Sequence, residues 1–62
     1  MVLDKVKEYA AANGMKLLDV SVLSGVPYTA LKEWNQHMPS ALSLAKVAKV
    51  LGTTSEELLK ED

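Results

Sequence analysis

The chain of 62 residues contains no cysteine, no arginine and no phenylalanine, and it has a single histidine. Without cysteine, neither a disulfide nor a thiolate metal site can form, and one histidine does not build a zinc site. No apolar run approaches the roughly 20 residues that a membrane-spanning helix needs, and the N-terminus has no signal-peptide pattern. We therefore expect one cytoplasmic domain over residues 1–62, held together by packing alone, with no metal and no cofactor.

Patterns that carry catalysis are also missing from the sequence. It has no glycine-rich phosphate loop and no pair of carboxylates at helical spacing in an apolar setting. Glu56 and Glu57 lie at a predicted helix start, where negative charge is favourable in any case. We expect neither an enzyme nor a small-molecule substrate.

Positive charge is limited. Seven lysines face eight acidic residues, a formal net charge of −1, and four of the acids fall in residues 56–62. Residues 1–55 hold six lysines and four acids, a net charge of +2. Proteins that bind DNA usually have a basic surface, because neutralising phosphates releases counterions. This balance tolerates DNA binding but does not argue for it.

Helix breakers divide the chain into five short segments. They are Asn13-Gly14, Gly25-Val26-Pro27, Met38-Pro39-Ser40 and Gly52-Thr53-Thr54. Between them apolar residues recur at three and four positions, which is typical of helices, and no segment alternates as a strand does. The predicted helices cover residues 3–13, 17–24, about 27–35, 41–51 and 55–59. We expect an all-α, compact five-helix domain whose short helices cross at steep angles.

Residues 17–36 contain the most informative pattern. Ser21 is small, as the close approach of two crossing helices requires, and Gly25 tolerates the positive φ of a tight turn. Leu31 and Trp34 would anchor the inner face of the next helix. This layout is that of a helix-turn-helix, whose second helix can lie in the major groove of DNA.

The segments GMKLLDVSVLSGVPYTALKEWN and PSALSLAKVAKVLGTTSEELL together resemble the lambda-repressor-like (phage repressor and Cro) family of helix-turn-helix DNA-binding domains. The resemblance runs from about Leu3 to Leu59 and implies binding of double-stranded DNA by a transcription regulator, with the helix at about 27–35 in the major groove. It implies DNA-base contacts by Tyr28, Thr29, Lys32 and Glu33. It implies DNA-backbone contacts by Lys16, Leu17, Asn35, Gln36, His37 and Ser40.

Each of these residue types has suitable chemistry. Lys32 can donate to guanine O6 and N7, and Glu33 can accept from cytosine N4. Asn35 and Gln36 are neutral donors for phosphate oxygens. Leu17 departs from the family, which usually has a polar residue there, so only backbone N–H groups remain to meet a phosphate at that helix start.

A second interpretation is a protein-interaction module that uses the same fold without DNA. The apolar Leu17, the absence of arginine and the net charge of −1 favour it. Leu17, Leu18, Tyr28 and Met38 would then form an exposed apolar patch. The lack of arginine and the regular helix caps also fit an engineered domain. Natural or engineered origin stays open, as do a homodimer on DNA and, for a natural protein, association with the nucleoid.

Overall fold

Five α-helices make up most of the computed structural model, which describes residues 1–60. They are α1 (Val2–Ala12), α2 (Leu17–Ser24), α3 (Tyr28–Lys32), α4 (Ala41–Leu51) and α5 (Ser55–Leu59). Residues 1–60 contain no strand, which confirms the all-α prediction. Four helices match their predicted limits to within one residue, and α3 does not. Glu61 and Asp62, part of the acidic C-terminal segment, lie outside the described residues.

Every helix contributes to one shared core. The largest fully buried side chains come one from each helix: Val6, Val20, Leu31, Val47 and Leu58. Helices of 5 to 11 residues are too short to be stable alone in water. Their stability therefore depends on this joint burial. The domain measures 22 × 21 × 17 Å along its principal axes. None of the described helices is long and apolar enough to cross a membrane.

The turn between α2 and α3 is fixed by Gly25, as the sequence predicted, and by a hydrogen bond of Ser21 that the sequence did not predict. Gly25 has a φ of +79°, a left-handed conformation that glycine adopts at little cost. Ser21 is buried, and its hydroxyl donates to the carbonyl oxygen of Val26 at 2.6 Å. The N–H of Val26 in turn donates to Ser24 Oγ at 3.2 Å. Side chains of α2 thus satisfy the backbone of the turn and set where α3 begins.

The prediction of a helix at about 27–35 was wrong at its C-terminal end. After Lys32 the N–H groups of Glu33 and Trp34 donate to carbonyls three residues back, each at 3.1 Å, so the chain tightens into turns. Trp34 is nevertheless core, as predicted, and is 5% exposed. The helix ends early because these turns bury Trp34 and bring Asn35 to α1.

Candidate nucleic-acid interface

Helix α3 has a buried face and an exposed face. Leu31 is fully buried, and Ala30 is half-buried against the core. Tyr28, Thr29 and Lys32 are exposed. Three of the four predicted base-contacting residues therefore lie together on the outer face of a helix whose position is held by the core.

Tyr28 and Lys32 form a pair on this outer face. They are one helical turn apart, and the Lys32 ammonium nitrogen lies 5.6 Å from the centroid of the Tyr28 ring. A cation at this distance is attracted to the ring face. The pair places a positive charge beside a planar ring that carries a hydroxyl group.

Glu33, the fourth predicted base-contacting residue, lies just beyond the end of α3. Its side chain is exposed, and its carbonyl oxygen accepts from the N–H groups of Gln36 at 2.9 Å and His37 at 2.7 Å. The backbone of Glu33 thus closes the turn that follows the helix. Its carboxylate adds a negative charge directly after Lys32 in the chain.

The start of α2 differs from a simple phosphate-binding helix end. Lys16 is exposed, and its backbone N–H donates to the carboxylate of Asp19 at 2.9 Å. The negative charge of Asp19 therefore already occupies this helix start, where it would oppose a phosphate. Leu17 is half-buried against the core, so its expected place in an exposed apolar patch was wrong. Leu17 is the first residue of α2, and its side chain packs against the core.

Ser40 caps α4 as predicted. Its hydroxyl oxygen accepts from the N–H of Ser43 at 3.2 Å and its hydroxyl group donates to Ser43 Oγ at 3.0 Å. The hydroxyl is thus engaged within the helix. At this helix start the N–H groups of Ala41 and Leu42 have no partner within the helix, which makes them the donors that a phosphate could reach.

In the loop after α3, one predicted DNA-contacting residue points towards α1 and two are exposed to solvent. Asn35 Oδ1 accepts from the N–H of Leu3 at 3.0 Å, and Asn35 Nδ2 donates to Asp4 at 3.1 Å. Asn35 therefore caps α1 from 32 positions away in the chain. Its contact with the DNA backbone stays a prediction. Gln36 and His37 are exposed. A signal for this cap was present, because α1 follows Met1, which offers no side-chain cap of its own.

Sequence reasoning missed most of an apolar surface on α2. Leu18, Val22 and Leu23 are 58%, 74% and 64% exposed. Leu18 and Val22 are four residues apart and share one face of the helix. We call these three residues the α2 outer face. The signal was that α2 is apolar on nearly all sides, which a helix with only one buried face does not need.

Comparison of the chain with protein-family models, with curated proteins and with solved structures found no match. The likeness to lambda-repressor-like domains therefore stays a prediction, which rests on the sequence segments given above.

Proposed function

We propose that this domain binds double-stranded DNA, with α3 in the major groove. The observation that carries the proposal is the division of α3: Leu31 is held in the core while Tyr28, Thr29 and Lys32 are exposed. A helix in the major groove needs such an outer face of side chains that reach base edges. Because the core fixes the inner face, the backbone of α3 would meet DNA already ordered, and only the exposed side chains would lose conformational freedom.

Contacts with the DNA backbone would come from groups around α3. Lys16, Gln36 and His37 are exposed, and the first turn of α4 offers free N–H groups. Asp19 and Glu33 reduce the local positive charge and so lower the electrostatic contribution to binding. We expect phosphate contacts to supply a salt-dependent part of the affinity and the fit of α3 in the groove to supply the sequence preference.

The first experiment is selection from a randomised duplex pool at about 50 mM salt, where phosphate contacts still contribute strongly. The proposal expects a recovered motif of a few base pairs. Two copies of that motif in inverted orientation would indicate that two chains bind adjacent half-sites. An unenriched pool, with helicity confirmed by circular dichroism, would contradict the proposal.

On a recovered motif, Lys32→Ala tests whether α3 reads bases. We expect it to weaken binding by about 1–3 kcal/mol and to relax preference at one base pair. Lys60→Ala is the matched control, because it removes the same charge from a position just after α5. Equal weakening of all sequences by Lys32→Ala would make Lys32 a phosphate contact. Equal effects of Lys32→Ala and Lys60→Ala would contradict the placement of α3 in the DNA interface.

A second candidate function is favoured by the α2 outer face. Leu18, Val22 and Leu23 expose apolar side chains on one short helix, and exposed apolar surface of this kind can mark a contact with another protein. This alternative predicts binding through an apolar contact that changes little with salt, whereas DNA binding weakens steeply as salt rises. Val22→Lys would abolish the apolar contact. It would leave sequence preference on DNA unchanged.

A further inference from the structure

The end of α1 places an asparagine directly before a glycine in an exposed turn. Asn13 follows the last residue of α1, and Gly14 has a φ of +68°. A Cβ built on Gly14 would meet no atom within 4 Å, so glycine is favoured here by its backbone angle and not by lack of space. The left-handed turn thus favours the residue type that shields the preceding asparagine least.

We propose that Asn13 is a site of spontaneous deamidation. The backbone nitrogen of Gly14 attacks Cγ of Asn13, a C–N bond forms, and the Cγ–Nδ2 bond breaks. Nδ2 leaves as ammonia with the proton that the Gly14 nitrogen loses. Water then opens the resulting succinimide at either carbonyl, which gives aspartate or isoaspartate. Glycine has no side chain to hinder the attack.

The folded chain opposes this reaction at both reacting groups. Asn13 Nδ2 donates to the carbonyl oxygens of Tyr9 at 2.8 Å and Leu51 at 3.2 Å. The attacking N–H of Gly14 donates to the carbonyl oxygen of Ala11 at 3.0 Å. The leaving group and the nucleophile are therefore both held by hydrogen bonds. Deamidation proceeds through states in which the end of α1 has opened.

The product no longer fits the site that Asn13 occupies. An aspartate carboxylate has no N–H to donate, and it would face the carbonyl oxygens of Tyr9 and Leu51 as a third acceptor. The bond to Leu51 joins α1 to α4, so its loss weakens the packing of α1. Isoaspartate also adds one carbon to the backbone within the turn. Opening of the C-terminal end of α1 thus permits deamidation, and deamidation in turn makes that end of α1 open more often.

The chain contains its own control. Its one other asparagine, Asn35, precedes Gln36, whose side chain hinders attack by the following nitrogen. The full chain is incubated at mildly alkaline pH in buffer and in denaturing urea, and peptides are followed by mass spectrometry with isoaspartate detection. We expect deamidation at Asn13 in urea, little at Asn35, and a rate at Asn13 in buffer slower by about tenfold or more. No deamidation at Asn13 in urea, or faster reaction at Asn35, would overturn the proposal, and equal rates at Asn13 in buffer and urea would overturn the protection by the fold.

Two variants test cause and consequence. Gly14→Ala should slow deamidation in urea, where the fold plays no part, because its methyl group hinders the attacking nitrogen. Asn13→Asp should lower the melting temperature by about 4–8 °C, and Asn13→Ala, which removes the donors without adding charge, should lower it less. An Asn13→Asp variant that melts like the unmodified chain would refute the structural consequence. An unchanged rate in Gly14→Ala would refute the chemistry.

Discussion

Helices α2 and α4 pack against each other, yet their outer surfaces differ. In α4 the buried residues form one stripe at helical spacing: Leu44, Val47, Ala48 and Leu51. Lysines 46 and 49 are exposed on the same helix. Helix α2 buries Val20 and Ser21 but exposes Leu18, Val22 and Leu23. Folding accounts for the buried stripe of α4, which leaves one leucine of that helix, Leu42, largely exposed, whereas α2 leaves three apolar residues exposed that folding does not explain.

The difference bears on the second candidate function, an apolar contact through the α2 outer face. An apolar side chain stabilises the fold only to the extent that it leaves water on folding. Leu18, Val22 and Leu23 remain largely in water, so they contribute little stability and increase the tendency to associate. The α2 outer face could therefore contact a partner without loss of core packing, whereas the buried stripe of α4 is needed for the core.

The largest effect that tests this comparison is expected in α4. Leu44→Ala should lower the free energy of unfolding by about 2–5 kcal/mol, because it leaves a cavity in the core. Leu42→Ala removes the same side chain two residues earlier, where it is 67% exposed, and should cost less than about 0.5 kcal/mol. Urea unfolding measures both. Similar losses from the two substitutions would show that the stripe is not the buried face of α4.

A smaller effect is expected at Ser21, where α2 contributes a polar contact. Ser21→Ala removes the donor to the carbonyl oxygen of Val26 and leaves that oxygen unpaired beside the core. We expect a loss of about 1–3 kcal/mol in the free energy of unfolding. If stability were unchanged, the carbonyl would have to find water, and the turn would not depend on Ser21.

The smallest effect is expected at the α2 outer face. Val22→Lys and Leu23→Lys should each change the free energy of unfolding by less than about 0.5 kcal/mol, since both side chains are mainly in water. Sedimentation of the concentrated protein would show whether the substitutions reduce self-association. A large loss of stability would mean that α2 is more deeply packed than its exposure indicates.

The sequence predicted the features that depend on neighbouring residues. Ser40 and Gly52 delimit α4 because a cap and a left-handed turn are local devices, and Gly25 ends α2 for the same reason. The spacing of Leu31 and Trp34 assigned Tyr28 and Lys32 correctly to the exposed surface. Contact of those residues with DNA stays a prediction.

Features that depend on distant residues could not be read in this way. The end of α3 at Lys32 follows from the burial of Trp34 and from the bonds of Asn35 to α1, which join positions far apart in the chain. The α2 outer face was hard to locate because a helix that is apolar on nearly all sides has no periodicity to mark its buried face. Leu17 and Val22 are both apolar residues of α2, and only packing distinguishes them.

The cap that Asn35 provides for α1 has a consequence for synthesis of the chain. The residues of α1 are synthesised first, but Asn35, whose side chain accepts from the N–H of Leu3, is added 32 residues later. Leu58, the core residue of α5, follows later still. While the chain is being made, α1 therefore has neither its cap nor its full packing surface. We expect nascent chains to remain open to proteases until residue 58 has left the exit tunnel and to fold afterwards in one step.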